Sequence, residues 1–223
     1  MYSTTTTVAR YRDRAEAGQA LAKELRSYAG ANTLVLALPR GGVPVGAEVA
    51  SALHAQLDVF LVRKLGHPDR PEFAMGAIAS GGIQLLDDAT IAQEHVRDEE
   101  VRMVIARETK ELARREVLYR SGRPPLNVSG RTVILVDDGV ATGYTMRVAV
   151  LALRQLEPKK LVVAVPVGAP DTCSLLETAV DSVVCPSQPT PFMAVGLWYD
   201  SFPQLTDEGV RAILAKWRAG FER

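Results

Sequence analysis

Apolar positions along the chain recur in two rhythms. Between Asp13 and Tyr28, Ala17, Leu21 and Leu25 fall at helical spacing and predict an amphipathic helix. Thr33–Leu38 is a short continuous apolar run, read as a buried strand. Pro39-Arg40-Gly41-Gly42 interrupts it before a helical pattern from Pro44 to His54. Asp58–Val62 reads as a second buried strand. Ala74–Ala79 and Ile83–Leu86 read as shorter strands joined by a Gly81-Gly82 hairpin turn. From about Thr90 to Arg120 the chain reads as one long charged helix or two shorter ones. Its apolar positions (Ile91, Val101, Val104, Ile105, Leu112, Val117) form only a narrow stripe.

Ser121-Gly122-Arg123-Pro124-Pro125 breaks that pattern. Beyond it come a strand at Thr132–Val136, a helix from about Gly143 to Leu156 ended by Pro158, and a buried strand at Leu161–Val167. A helix starting near Asp171, a short strand at Ser182–Cys185, a proline-rich loop at Pro186–Pro191 and a capped helix from Thr206 through Trp217 complete the chain. Alternating strands and helices define an α/β class, a Rossmann-like parallel sheet flanked by helices and buried on both faces. In such sheets ligands gather at the carboxyl ends of strands. Three loops follow strands in this way: Pro39–Pro44, Arg63–Phe73 and Asp137–Thr145.

Composition narrows the function. The 223 residues fit one domain, read as spanning 1–223. Lys+Arg and Asp+Glu both number 26, so no global basic field recruits nucleic acid or anionic membrane. The two cysteines, Cys173 and Cys185, and the three histidines have no metal-ligand spacing. Sparse cysteine, a polar N-terminus and no apolar run near 20 residues lead to the expectation of a cytoplasmic protein.

The strongest chemical signal is Val133-Ile-Leu-Val-Asp137-Asp138-Gly139-Val140-Ala141-Thr142-Gly143-Tyr144-Thr145. A buried strand delivers two adjacent carboxylates, and a small-residue turn then opens a helix. A helix N-terminus offers unpaired N–H groups and a positive dipole end, which suit a phosphate. Thr142 and Thr145 add hydroxyls, and Gly143 permits close backbone approach. Carboxylates beside a phosphate make sense if they face sugar hydroxyls, or a Mg²⁺ ion and its waters.

This stretch resembles the 5-phosphoribosyl-1-diphosphate (PRPP) signature of the type I phosphoribosyltransferases. The Asp-Asp-x-x-Ala-Thr-Gly-x-Thr form is most similar to the adenine-type and competence-protein-type members. The resemblance implies the type I fold with a helical insertion at about 90–120 and a hood at about 186–205. It also implies transfer of a phosphoribosyl group to a nitrogen nucleophile, most simply a nucleobase, with release of diphosphate and with Mg²⁺ as cofactor. Gly139 through Thr145 would bind PRPP. Asp137 and Asp138 would hold the ribose, and the metal through ribose or water. Arg40, Gly41 and Gly42 would grip the diphosphate, where a cis peptide is common in the family.

Lys64, preferred to Arg63, would also serve the leaving group, so Arg40, Lys64, Asp137 and Asp138 form the catalytic set. Solvated charges at a strand end are the other reading of Arg63-Lys64. Gly66–Glu72 stands where the family has its mobile loop; His67 and Glu72 are either proton carriers or ordinary loop residues. Phe192, Trp198 and Asp200 resemble the purine-type hood that binds the acceptor, and the two aromatics equally suit a core.

Two departures separate this chain from its models. Ala141 stands where hypoxanthine-type members carry an Asp, and Tyr144 replaces the usual Lys or Gly. The acceptor therefore stays open as a small molecule. A PRPP or nucleotide sensor without turnover is the alternative function, and a structural or interaction protein is a third. The charged Thr90–Arg120 arm is either a solvated helix, a cover for the site or a homodimer contact.

Overall fold

The computed structural model describes residues 10–120 and 123–221. Two residues of the expected breaker, 121 and 122, and the first nine of the polar N-terminus lie outside the described residues. Helix α1 spans Arg14–Glu24, with Asp13 accepting from the Glu16 N–H as its cap. Then follow β1 (Thr33–Ala37), α2 (Gly42–Leu53), β2 (Gln56–Val59), β3 (Val62–Gly66), β4 (Ala74–Ala79) and β5 (Ile83–Leu86). Helices α3 (Asp88–Gln93) and α4 (Asp98–Arg120) precede β6 (Thr132–Val136), α5 (Tyr144–Arg154) and β7 (Lys160–Ala164). The chain continues through α6 (Pro170–Glu177), β8 (Ser182–Val184), a 3₁₀ turn at Val195–Trp198 and α7 (Asp207–Phe221).

Strands β2-β1-β6-β7-β8 form a parallel sheet in that order, flanked by helices as the alternation dictates. Successive side chains of a strand face opposite sides. In β1, Val35 and Ala37 accordingly join a core with Leu21, Leu53, Leu214 and Trp217. Leu34 and Leu36 join a second core with Met146, Val150, Leu153 and Leu176. The connection leaving β1 runs to β2 and that leaving β6 runs to β7, so the chain diverges between these two adjacent strands. Such a divergence opens a crevice at the carboxyl ends.

One boundary differs from the sequence reading. Asp58–Val62 is not a single strand. β2 ends at Val59, where the Phe60 N–H still reaches the Ala37 carbonyl (3.0 Å). Leu61 then donates to the hydroxyl of buried Ser80 (3.0 Å) and turns the chain into a separate antiparallel sheet, β3-β4-β5. Arg63 and Lys64 therefore lie within β3, not at the end of a parallel strand.

The charged segment forms two helices, not one. Asp87 caps α3 by accepting from the Thr90 N–H. Helix α4 lies against both sheets. Its Glu108 pairs with Arg63 of β3, and its Arg120, with Arg123, closes on buried Asp58 of β2 at 3.1–3.2 Å. No helix among the described residues is long and apolar enough to cross a membrane.

Candidate active site

The crevice between β1 and β6 brings two of the singled-out loops together. The Leu38 N–H bonds the Val136 carbonyl (2.9 Å), so the loops after these strands start side by side. The Pro39–Arg40 peptide is cis. Gly41 and Gly42 are required by the closeness that follows. A Cβ on Gly41 would stand 2.1 Å from Asp138 Oδ2, and one on Gly42 2.6 Å from the Val136 oxygen. Only a hydrogen fits at either place.

Beyond the acids, the turn is pinned from outside. Val140 donates to Val167 O (3.0 Å) and accepts from the Ala169 N–H (2.9 Å). Thr172 Oγ1 donates to the Ala141 carbonyl (2.5 Å). Gly143 takes φ +70°, a left-handed conformation natural to glycine, and α5 begins at the next residue. Thr142, Tyr144 and Thr145 are exposed, and no described residue accepts from the N–H groups of Ala141 through Thr145. Unpaired amides at the start of a helix are a general anion-binding arrangement.

The acids are less free than the sequence suggests. Asp137 Oδ1 accepts the Asp138 N–H (2.8 Å). Asp138 Oδ2 accepts from Arg14 Nε (2.8 Å), a pair whose side chains are only 10% and 13% exposed. The two carboxylates also lie within hydrogen-bonding reach of each other, and no other described side chain or N–H donates to their second oxygens. Burial, then the neighbouring Asp138 charge, pushes Asp137 well above the ordinary carboxylate range. Burial also raises Asp138, with Arg14 opposing. Arg14 itself donates to the Pro203 carbonyl (2.9 Å), and its guanidinium sits 3.7 Å from the Phe202 ring centroid. Tyr199 donates its hydroxyl to the Asp138 carbonyl (2.5 Å). Nothing local in the sequence marks Arg14, Tyr199 or Phe202, because each lies more than 60 residues from the acids it serves.

The expected cations have protein partners. Arg40 is exposed and approaches Asp207 at the start of α7 (4.0 Å). Lys64 donates to the Glu72 carbonyl (2.7 Å), and Arg63 is committed to Glu108. His67 is buried in a tight loop, its Nδ1 accepting from the Asp69 N–H (3.2 Å) and its own N–H donating to Phe73 O (2.8 Å). That geometry fits loop closure better than proton carriage. Among the hood candidates, Phe192 and Trp198 stack on each other at 6.2 Å, and Asp200 is exposed beside Arg10 (3.8 Å). The hood nonetheless touches the turn. A Cβ on Gly139 would meet Val195 Cγ1 at 2.5 Å.

For Mg²⁺, the donor set is one-sided. No group of three or more His, Cys, Asp or Glu among the described residues could cage a metal ion. Arg14 already offsets the charge of Asp138. The hard oxygens of Asp137 fit a cation that a phosphorylated substrate carries in with its own oxygens, as Mg²⁺ commonly is.

The acid pair and the turn that follows it lie at the switch point of a parallel α/β sheet. Residues 7–200 match the phosphoribosyl transferase domain, and the chain belongs to that family. It is similar to two Mycobacterium tuberculosis proteins, from strains CDC 1551 and H37Rv, both provisionally named as phosphoribosyl transferases. Each is 41% identical over 209 residues, 94% of this chain and 47% of the relative. The chain thus spans about half the length of these curated relatives. A crystal structure from Thermus thermophilus is 43% identical with a TM-score of 0.81, covering 93% of this chain and 99% of that one. The expected fold class and family both hold.

Proposed function

We propose that this protein transfers the 5-phosphoribosyl group of PRPP to a nitrogen nucleophile, most simply a nucleobase, and releases diphosphate. The observation that carries the reading is the meeting of Gly41-Gly42 with Asp137-Asp138 beside the open amides of Ala141–Thr145. The 5′-phosphate meets these amides, with Thr142 and Thr145 hydroxyls as further donors. Binding energy at that remote group holds the sugar carbon in place for reaction. The free oxygens of Asp137 and Asp138 accept from the ribose hydroxyls. Their field favours the positive charge that develops as the carbon–oxygen bond to diphosphate breaks and the carbon–nitrogen bond forms.

The backbone of Gly41-Gly42 receives the leaving diphosphate, and Arg40 and Lys64 swing onto it from Asp207 and Glu72. The proton displaced from the nitrogen leaves with solvent or diphosphate. Asp137 would help to hold a Mg²⁺ ion that arrives with PRPP, and that ion would supply charge neutralisation for the diphosphate. Phe192 and Trp198 wall the acceptor side, with Asp200 at its rim.

The test is incubation with PRPP and Mg²⁺ against a panel of purine and pyrimidine bases, following diphosphate. Release with at least one base supports transfer. A second reading, a PRPP or nucleotide sensor, is favoured by one observation: Arg40, Arg63 and Lys64 all have protein partners. PRPP binding without release for any base supports that reading instead. Absence of PRPP binding defeats both.

A further inference from the structure

Arg14 is the charge-bearing partner of the acid pair, and the chemistry proposed above assigns it nothing. Two carboxylates on consecutive residues repel each other, and an unheld carboxylate turns about its own side-chain bonds. Asp138 cannot turn. Its carbonyl is tied by Tyr199 (2.5 Å), its Oδ2 by Arg14 Nε (2.8 Å), and Gly41 closes over the same oxygen. Arg14 is fixed in its turn by the Pro203 carbonyl (2.9 Å) and by the face of Phe202 (3.7 Å). Arginine stacks on aromatic faces while its fork donates in the plane, and this site uses both properties. Among the described residues, no other cation forms an ion pair with either acid.

We infer that Arg14 is a positioning residue for sugar recognition: by holding Oδ2 of Asp138 it aims the remaining oxygen, Oδ1, at the vicinal hydroxyls of a 5-phosphorylated ribose. The inference rests on the ribose-binding reading of the acid pair. It extends the site to three segments distant in sequence. They are the start of α1, the turn after β6, and the Tyr199–Pro203 strap that follows the 3₁₀ turn. Discrimination between ribose and deoxyribose then depends on a side chain that never touches the sugar.

The experiment measures binding of ribose 5-phosphate, 2-deoxyribose 5-phosphate and inorganic phosphate to the full chain and to Arg14→Met, Arg14→Lys and Phe202→Leu. The unaltered protein is expected to prefer ribose 5-phosphate about tenfold, the value of one hydrogen bond to a charged group. Arg14→Met should erase most of that preference while inorganic phosphate binds as before. Arg14→Lys and Phe202→Leu should retain part of it.

Full preference in Arg14→Met overturns the inference. So does equal loss of both sugars and phosphate, which marks a purely structural role. If Arg14→Met does not fold, the other two variants decide, and undiminished preference in both overturns it. Failure of the underlying reading looks different, because the unaltered protein would then bind both sugars equally or neither.

Discussion

Tyr144 donates its hydroxyl to the carbonyl of Gly76, 3.2 Å away, and so joins the first residue of α5 to the middle strand of the small sheet. The residue that departs from the family pattern is thus a strut between the start of α5 and β4. Tyr144→Phe removes one partly exposed hydrogen bond. Stability should fall by no more than about 1 kcal/mol. The readout is faster amide exchange in β4 and β5 with phosphate affinity unchanged, since the amides at the start of α5 stay in place.

Gly41 and Gly42 should separate binding from folding. In Gly41→Ala the new methyl meets the carboxylate of Asp138, and the side chain must move. Affinity for PRPP should drop at least about tenfold with little change in melting temperature. In Gly42→Ala the methyl meets the Val136 carbonyl and Asp137 Cα, which are backbone. That strain should cost about 1–3 kcal/mol of stability as well. Denaturant titration beside calorimetric binding distinguishes the two patterns.

Asp58 is 5% exposed and Arg120 9%. Asp58→Ala leaves Arg120 buried without its counter-charge and should destabilise by about 3–5 kcal/mol in urea unfolding. Replacing both residues with apolar ones of similar volume should restore much of that loss, because no buried charge is then left alone.

Tyr119 is fully buried and donates to Asp207 Oδ1 (2.5 Å). Burial first, and then the bond to Asp207, pushes its phenol up to about 12. The folded value exceeds the unfolded one near 10, so the folded state holds this proton more tightly. Its contribution to stability is complete below pH 10 and is lost as pH rises through about 12. Tyr119→Phe should flatten the alkaline limb of the stability curve between those values. Fluorescence-detected unfolding at stepped pH checks it.

Much of the architecture was legible because buried parallel strands write themselves as unbroken apolar runs: Thr33–Leu38, Thr132–Val136 and Leu161–Val167 all contain strands. The hairpin of Ala74–Ala79 and Ile83–Leu86 was marked by the Gly81-Gly82 turn between two short runs. The same continuity hid the break after Val59. Phe60 and Leu61 are 0% and 4% exposed, so no polar residue announces that the chain changes sheets there. The acid pair and the turn before α5 could be read from adjacency alone. Arg14 could not, since its bond to Asp138 spans 124 residues and is made only by the packing of α1 beside the crevice. The cations of β3 were visible as charges, but their partners Glu108 and Glu72 depend on how α4 and the 67–73 loop fold back.

Helix α4, 23 residues long, extends about 34 Å. It grips the small sheet at Glu108 and the rim of the large sheet at Arg120. A rod fastened at two points resists the sheets swinging apart like jaws. On that frame, opening for a substrate falls most easily to the short pieces at the crevice mouth.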